Sequence, residues 1–188
     1  MASCHTILEP AYLEIIIGPM FSGKTTYLTK IYNQFYQTHN IKVINYSGDT
    51  RYHSTMLSTH DKVMIPCVFT NLLSDVCDET RIKGIDIILI NEGQFFQDLY
   101  ETVYNLVETH KKCVYVCGLD GDFKRRKFGT LLDLVPLCDK VTKLTSNCKC
   151  GSPAIFSHRI TSENEVVIIG SDMYVPLCRA CYNQTLSC

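Results

Sequence analysis

A glycine-bounded run near the N-terminus has the residue types and spacing of a phosphate-binding loop. It fits the pattern G-x-x-x-x-G-K-[ST], and its members are Gly18, Pro19, Met20, Phe21, Ser22, Gly23, Lys24 and Thr25. Consecutive backbone N–H groups of such a loop point at phosphate oxygens, and the glycines permit the tight turn. Lys24 would reach the β- and γ-phosphates, and the Thr25 hydroxyl would ligate Mg²⁺. The run predicts a bound nucleoside triphosphate; the alternative is a plain strand-to-helix turn.

A second candidate for chemistry follows the apolar run at residues 87–90. This run ends in Asn91 and Glu92 and resembles a Walker B element. Because ligands of parallel α/β sheets bind at the carboxyl ends of the strands, Glu92 would lie near the phosphates. A carboxylate there accepts a proton from an attacking hydroxyl. The alternative is a strand-ending acid exposed to water.

Two cysteine pairs near the C-terminus have the spacing of metal ligands. Cys178 and Cys181 form a C-x-x-C pair, and Cys148 and Cys150 lie about thirty residues upstream. Four soft thiolates suit structural Zn²⁺. Four free cysteines, or a ribbon that binds nucleic acid, are the alternatives. The intervening segment has few basic residues, which disfavours the nucleic-acid interpretation.

The segments that must position these residues alternate between strand and helix patterns. Strands are predicted at residues 13–17, 41–46, 85–90 and 112–117, and helices at 24–39 and 98–110. Residues 48–66 are polar and are interpreted as a long connection. The alternation predicts an α/β fold of the P-loop NTPase type, a mostly parallel sheet with helices on both faces. A change of character near Ser146 divides the chain into an ATP-binding domain, 1–145, and a small C-terminal β subdomain, 146–188.

The composition excludes several classes of protein. The chain has 188 residues and a net charge of −1, which gives no basic surplus for duplex DNA. Its apolar runs are too short to span a bilayer. The first ten residues show no signal-peptide pattern, so a cytoplasmic location is expected. In a reducing compartment the eleven cysteines are poor disulfide candidates.

Several motifs stand together in the order found in one known family. Besides the phosphate loop, they are Asp49-Thr-Arg-Tyr52, Ser58-Thr-His-Asp61, Asn91-Glu-Gly-Gln-Phe-Phe96, Leu119-Asp-Gly121, Phe128-Gly129, Leu134-Val-Pro-Leu137 and Cys178-Arg-Ala-Cys181. Over about residues 13–182 the chain resembles the type II thymidine kinases of animals, bacteria and large DNA viruses.

The resemblance implies transfer of the γ-phosphate of ATP to the 5′-hydroxyl of thymidine. Glu92 matches the general base, and Lys24 and Arg51 would stabilise charge on the transferred group. Asp49 matches the acid beside Arg51. With Thr25 and Asn91, Asp49 completes the residues expected around Mg²⁺.

The resemblance also implies a pocket for thymine and its sugar. The residues matching pocket positions are Met20, Phe95, Leu119, Phe123, Phe128, Ser157, Val167, Ile168, Ile169, Gly170 and Tyr174. Ser157 would lie near the thymine methyl, and residues 167–170 would recognise the base edge through their backbone. Without the resemblance, ordinary core packing is the favoured interpretation of the aromatics.

The C-terminal module of the family is a zinc ribbon whose long loop acts as a lid. The family further implies a homotetramer and feedback binding of thymidine triphosphate. Neither a nucleic-acid partner nor a membrane partner is expected.

Three differences from the family pattern bear on chemistry. Asn91 stands where Asp is usual, which predicts weaker Mg²⁺ affinity. Cys148 and Cys150 are one residue closer than the usual C-x-x-C, and Gly151 would relieve the strain of the tighter chelate. Asp122 and Lys127 replace a common threonine and proline in the loop after residue 118, which would alter its stiffness.

Two other functions remain open from the sequence. One is a deoxynucleoside kinase with a shifted or broader base preference. The other is a non-catalytic nucleotide-binding module or a nucleic-acid-dependent NTPase.

Overall fold

The computed structural model describes residues 11–48, 56–58, 64–160 and 173–185. Its centre is a six-stranded sheet with the order β5-β2-β6-β7-β1-β8. The strands are β1 (Tyr12–Ile17), β2 (Ile41–Tyr46), β5 (Val68–Thr70), β6 (Ile87–Ile90), β7 (Cys113–Gly118) and β8 (Lys140–Lys143). Each neighbouring pair is parallel. The predicted mostly parallel α/β sheet is therefore confirmed.

Alternate residues of the central strands face two separate apolar layers. Ile15 of β1 belongs to the layer that contains helix α3 (Leu99–Tyr104). Its neighbour Ile16 belongs to the layer that contains helix α1 (Lys24–Phe35). Burial on both faces explains why β6 and β7 are continuous apolar runs with no polar alternation. Helices on both faces, as predicted, cover the sheet.

Helix α1 follows the phosphate loop directly. Gly23 precedes it with a left-handed φ of 82°, a conformation that glycine adopts at no steric cost. Leu28, Ile31 and Phe35 recur at helical spacing and are buried against the sheet. The helix ends at Phe35, four residues before the predicted end at 39.

The predicted helix at 98–110 is two elements. Helix α3 ends at Tyr104 and continues as a π-helical turn, Asn105–Thr109. Leu106 and Val107, which are consecutive, are both buried in the same apolar layer. One helical pattern in the sequence is therefore an α-helix followed by a single π turn.

The prediction of a long connection at residues 48–66 is wrong in one respect. Strands β3 (Met56–Ser58) and β4 (Met64–Pro66) pair antiparallel there. Leu57 and Ile65 lie opposite each other, and both are buried beneath the hairpin. Three-residue strands with one buried side chain each give too short a pattern to be predicted from the sequence.

The C-terminal region is built from short pieces. A 3₁₀ segment, Leu131–Leu137, leads to β8. Strand β9 (Ser146–Asn147) pairs with β10 (Pro153–Ala154), and β11 (Phe156–Arg159) pairs antiparallel with β12 (Tyr174–Leu177). Helix α4 (Arg179–Thr185) follows.

The remaining helical elements are α2 (Glu79–Ile82) and a 3₁₀ turn, Gly93–Phe95. Among the helices within the described residues, none is long and apolar enough to cross a membrane.

Candidate active site and metal centre

The phosphate loop connects the carboxyl end of β1 to helix α1. A Cβ on Gly18 would lie 2.5 Å from the carbonyl oxygen of Leu144, so only glycine fits at this close approach. Phe21 and Gly23 both have left-handed φ values, 61° and 82°. These conformations curl the loop over the N-terminus of α1, where the helix dipole favours an anion.

Lys24 lies across the loop. Its ammonium donates to the carbonyl oxygens of Gly18 at 3.1 Å and Pro19 at 2.7 Å. The side chain is buried. Within hydrogen-bonding distance of the loop carbonyls, this ammonium is positioned to meet the phosphates that the loop would enclose.

A buried polar network joins the loop to the end of β6. The Thr25 hydroxyl donates to Asn91 Oδ1 at 3.5 Å, and Cys117 Sγ donates to the same oxygen at 2.9 Å. Asn91 Nδ2 donates to Asn45 Oδ1 at 2.8 Å. Burial raises the pKa of Cys117 to about 12, so it remains a thiol donor at neutral pH. Asn91 is therefore held by contacts from three elements.

Glu92 leaves β6 with a left-handed φ of 58°, a conformation that is uncommon for a non-glycine residue and often marks functional sites. Its carboxylate accepts a hydrogen bond from Gln94 Nε2 at 2.6 Å. The buried Gln94 also accepts from the backbone N–H of Leu119 at 3.0 Å. Gln94 thus fixes the carboxylate relative to the end of β7.

Aromatic rings from the loops after β6 and β7 and from neighbouring strands form two groups of contacts. Phe95 stacks on Tyr46 with centroids 5.1 Å apart and meets Phe128 edge-on at 5.4 Å. In the second group, the guanidinium of Arg159 lies 3.9 Å from the Phe123 ring centroid and 5.1 Å from that of Tyr174. Such walls suit a flat base and exclude water.

The C-terminal strands contact the phosphate loop. The Ser157 hydroxyl accepts a hydrogen bond from the Met20 backbone N–H at 2.9 Å. Ser146 donates to the carbonyl oxygen of Phe21 at 3.1 Å. The phosphate loop is therefore held at Met20 and Phe21 by residues more than 120 positions away in the sequence.

The four clustered cysteines form a compact ligand set. The sulfurs of Cys148, Cys150, Cys178 and Cys181 all lie within 4.8 Å of one another. Zn–S bonds of about 2.3 Å in a tetrahedron place sulfurs about 3.8 Å apart, so the donor set fits one Zn²⁺. Gly151 adopts a left-handed φ of 86° in the turn after Cys150, a conformation that glycine adopts at no steric cost.

Comparisons with known proteins decide the family. A family model described as thymidine kinase matches residues 11–182. A thymidine kinase of Oryza sativa subsp. japonica is 41% identical over 180 residues, covering 92% of this chain and 66% of that protein. The thymidine kinase of Sheeppox virus (strain KS-1) is 41% identical over 93% of this chain and 98% of its own. The cytosolic thymidine kinase of Bos taurus is 42% identical over 90% and 71%.

The chain belongs to the thymidine kinase family. The family resemblance predicted from the motifs is thereby confirmed. Among solved structures, domain III of the Thermotoga maritima replication initiation protein DnaA overlaps 70% of this chain and 54% of its own, with a TM-score of 0.42 and 20% identity. The architecture is defined by the strand order of the sheet and not by this weak structural similarity.

The structure joins some of the residues expected from the thymidine kinase motifs in separate contacts: Thr25 with Asn91, Phe95 with Phe128, and Met20 with Ser157. Lys24, Thr25 and Asn91 lie along the carboxyl edge of the sheet with Glu92. The described pocket candidates are Met20, Phe95, Leu119, Phe123, Phe128, Ser157 and Tyr174. The candidates Asp49, Arg51, Val167, Ile168, Ile169 and Gly170 lie outside the described residues, and their roles stay predictions.

Sequence reasoning missed four residues at this site of the thymidine kinase fold. Tyr46 stacks on Phe95 and Asn45 holds Asn91, both at the end of β2. Gln94 holds Glu92, and the buried Arg159 lies between Phe123 and Tyr174. Gln94 belongs to the motif Asn91-Glu-Gly-Gln-Phe-Phe96 and lies two residues after the candidate base, so its role was predictable from the sequence. The contact of Arg159 depends on folding across more than 30 residues and has no local signal.

Proposed function

We propose that this chain is a thymidine kinase that transfers the γ-phosphate of ATP to the 5′-hydroxyl of thymidine. The observation that carries the proposal is the placement of a phosphate loop and a fixed carboxylate at one edge of the sheet, with packed aromatic rings that begin three residues after that carboxylate. A nucleotide hydrolase needs the first two features, but it does not need the third. The family match over residues 11–182 supports thymidine as the acceptor.

Glu92 serves as the general base. Its carboxylate accepts the proton of the 5′-hydroxyl as the oxygen attacks the γ-phosphorus in line and the bond to the β-phosphate oxygen breaks. Gln94 keeps the carboxylate oriented toward the pocket by donating to one of its oxygens.

Lys24 and the loop N–H groups stabilise the charge that develops on the transferred phosphoryl group and the leaving diphosphate. Lys24 would exchange its present carbonyl partners, Gly18 and Pro19, for phosphate oxygens. Arg51 is proposed as a second cation at the γ-phosphate, and Asp49 as its partner.

Mg²⁺ bound with ATP would neutralise phosphate charge and orient the β- and γ-phosphates. Thr25 and Asn91 supply a hydroxyl and an amide oxygen, hard oxygen donors that fit Mg²⁺ and its water shell. Neither of these two donors carries a charge, and Asn91 Oδ1 already accepts from Cys117. We therefore propose that Mg²⁺ is held mainly through ATP, with Asp49 as the one carboxylate proposed near it.

The four-cysteine cluster is proposed as a structural zinc site. All four positions are occupied by sulfur, so no open position remains for chemistry. Residues 146–188 would form the predicted zinc-ribbon subdomain, joined to the ATP-binding domain 1–145, with the segment between β11 and β12 as its lid. Elemental analysis should give about one zinc per chain, and less than half a zinc would count against the site.

Three further properties follow from family membership as proposals. They are a homotetramer, feedback binding of thymidine triphosphate, and a cytoplasmic location, the last supported by the cytosolic relative from Bos taurus. Light scattering on the purified chain measures the first. Inhibition of the reaction by micromolar thymidine triphosphate measures the second.

The decisive experiment is a phosphorylation assay with ATP and each of the four deoxynucleosides. Thymidine should be the preferred acceptor, with deoxyuridine weaker because it lacks the methyl group that Ser157 would face. Phosphorylation of deoxycytidine without thymidine would replace the proposal with a shifted base preference. ATP hydrolysis stimulated by DNA, with no nucleoside product, would overturn it.

A further inference from the structure

The loop that follows β7 is stabilised by hydrogen bonds to one of its own residues, Asp122. The Asp122 carboxylate accepts hydrogen bonds from the backbone N–H groups of Lys124 and Arg126, each at 2.8 Å. The Asp122 N–H donates to the carbonyl oxygen of Arg126 at 2.9 Å. These bonds make the tip of the loop a compact turn. Phe123, an aromatic candidate of the acceptor pocket, is part of this turn.

Helix α4 holds this turn from outside. The Tyr182 hydroxyl donates to the carbonyl oxygen of Phe123 at 2.6 Å. The guanidinium of Arg125 lies 4.5 Å from the centroid of the Tyr182 ring, within cation–π range. Arg125 also donates to Asn183 Oδ1 at 3.3 Å. One tyrosine therefore contacts both the backbone and a side chain of the loop.

Tyr182 is itself firmly placed. Its ring is buried and meets the rings of Phe156 and His158 edge-on, at 5.2 and 5.5 Å. It follows Cys181 directly, and its N–H donates to the carbonyl oxygen of Cys178 at 2.9 Å. The ring is thus fixed both by β11 and by the backbone of the cysteine cluster.

We propose that Tyr182 is a positioning residue for the acceptor pocket, holding Phe123 against Arg159 so that the ring presents a fixed wall to the nucleoside. The chain of contacts runs from the cysteine cluster through Tyr182 to the Phe123 carbonyl. The Phe123 ring then lies 3.9 Å from the Arg159 guanidinium. The nature of the ligand rests on the proposed function, whereas the restraint on the loop does not.

The restraint acts on binding of the acceptor more than on phosphoryl transfer. Tyr182 contacts neither the phosphate loop nor Glu92 in the hydrogen bonds and ring contacts described above. Without its hydroxyl, the Phe123 carbonyl loses its tie and the loop samples more conformations in the free enzyme. Thymidine must then order the loop on binding, which lowers its apparent affinity.

The test is Tyr182→Phe in the full chain, because this change removes one oxygen and keeps the buried ring. Tyr104→Phe is the matched control, since Tyr104 is exposed on α3 and stacks only on Tyr100 among the described rings. Two measurements are made on each protein. They are steady-state kinetics with thymidine and ATP varied separately, and amide hydrogen exchange of peptides covering residues 119–130 and 18–30.

Loss of one hydrogen bond predicts a rise of roughly three- to tenfold in KM for thymidine. kcat and KM for ATP should change less than about twofold, because the Tyr182 contacts do not reach the atoms of the phosphoryl transfer. Exchange should rise in 119–130 and not in 18–30, with zinc content equal to that of wild type. The Tyr104 variant should match wild type throughout.

Three results would overturn the proposal. One is unchanged exchange in residues 119–130 in the Tyr182 variant. Another is an equal rise in both peptides, which would make Tyr182 a general packing residue. The third is a fall in kcat with an unchanged KM for thymidine. If wild type phosphorylates no thymidine, the proposed function fails, and the exchange measurement still decides the restraint.

A second variant tests the side-chain contact. Arg125→Gln removes the cation from the Tyr182 ring and leaves the hydroxyl in place. Exchange in residues 119–130 should rise less than in the Tyr182 variant, with KM for thymidine raised about twofold, because an exposed cation–π contact is weaker than the buried hydrogen bond. A larger effect than that of Tyr182→Phe would contradict the assignment of the main restraint to the tyrosine hydroxyl.

Discussion

The phosphate side and the acceptor side of the site are built in different ways. The phosphate side consists of a loop and a strand end that emerge from a sheet buried on both faces. The acceptor side consists of rings on a loop and on short strands, held by contacts with the cysteine-bearing region. The first is stabilised by the core of the domain. The second is stabilised by a few specific polar contacts and by the region that carries the proposed zinc site. The two sides should therefore respond differently to substitution.

The largest expected effect falls on the phosphate side and separates chemistry from binding. Glu92→Gln retains the shape of the side chain but removes the proton acceptor, and we expect kcat to fall by about 10²- to 10⁴-fold. Nucleotide binding, measured by calorimetry, should remain within about threefold of wild type, because the loop contacts are untouched.

Glu101→Gln is the control for this change, because Glu101 is exposed on α3. Its kcat should equal that of wild type. If the Glu92 variant retained more than a tenth of the wild-type kcat, Glu92 would not be the general base.

Loss of the metal centre should act on the acceptor side alone. Cys178→Ser replaces one ligand of a cluster whose sulfurs all lie within 4.8 Å, and the neighbouring Tyr182 contact depends on the same backbone. We expect the zinc content to fall by more than half and the Kd for thymidine to rise by about tenfold or more, because metal binding and local folding are coupled. Affinity for a non-hydrolysable ATP analogue should change little.

Cys138→Ser is the matched control, since Cys138 lies outside the cluster. Equal losses of thymidine and nucleotide affinity in the Cys178 variant would show that the two sides are not separable.

Gly84 and Gly129 both have left-handed φ values, and alanine substitutions at these positions should lower the free energy of unfolding by different amounts. A Cβ on Gly129 would lie 2.2 Å from the carbonyl oxygen of Gln94, whereas a Cβ on Gly84 would meet no atom within 4 Å. Gly84→Ala should reduce the free energy of unfolding by about 1 kcal/mol from the backbone conformation alone. Gly129→Ala should cost about 3 kcal/mol because backbone must also move.

Urea denaturation measures both values. In the Gly129 variant the displaced Gln94 should also disturb Glu92, so kcat falls as well. Equal stabilities of the two alanine variants would show that the Gly129 contact relaxes without cost.

The same contrast explains what the sequence could predict. The strand at 41–46 and the start of α1 follow from local apolar periodicity and a glycine-rich motif, and the structure confirms both. The positions of Arg159 and Tyr182 depend on contacts with residues 36 and 59 positions away. No local pattern encodes such contacts.

The smallest expected effect concerns Asn91, at the end of β6 on the phosphate side. Its amide donates to Asn45 and its oxygen accepts from Cys117 and Thr25. Asn91→Asp adds a negative charge beside the position where Mg²⁺ and the phosphates would meet. The half-saturating Mg²⁺ concentration should fall about three- to tenfold, because a carboxylate attracts the cation more strongly than an amide. At saturating Mg²⁺, kcat should remain within about threefold.

Burial disfavours the charged form of the introduced carboxylate, so the Mg²⁺ affinity of the Asn91 variant should depend on pH. Asn91 is 2% exposed, so the introduced Asp should have a raised pKa and be charged mainly above it. The advantage in Mg²⁺ affinity should therefore be full at alkaline pH and shrink as the pH falls through that raised pKa. Asn105→Asp, on the exposed π turn, should leave the Mg²⁺ dependence as in wild type. Identical Mg²⁺ titrations for the Asn91 variant and wild type would show that the neutral side chain costs the enzyme no metal affinity, and that Thr25 and ATP alone determine it.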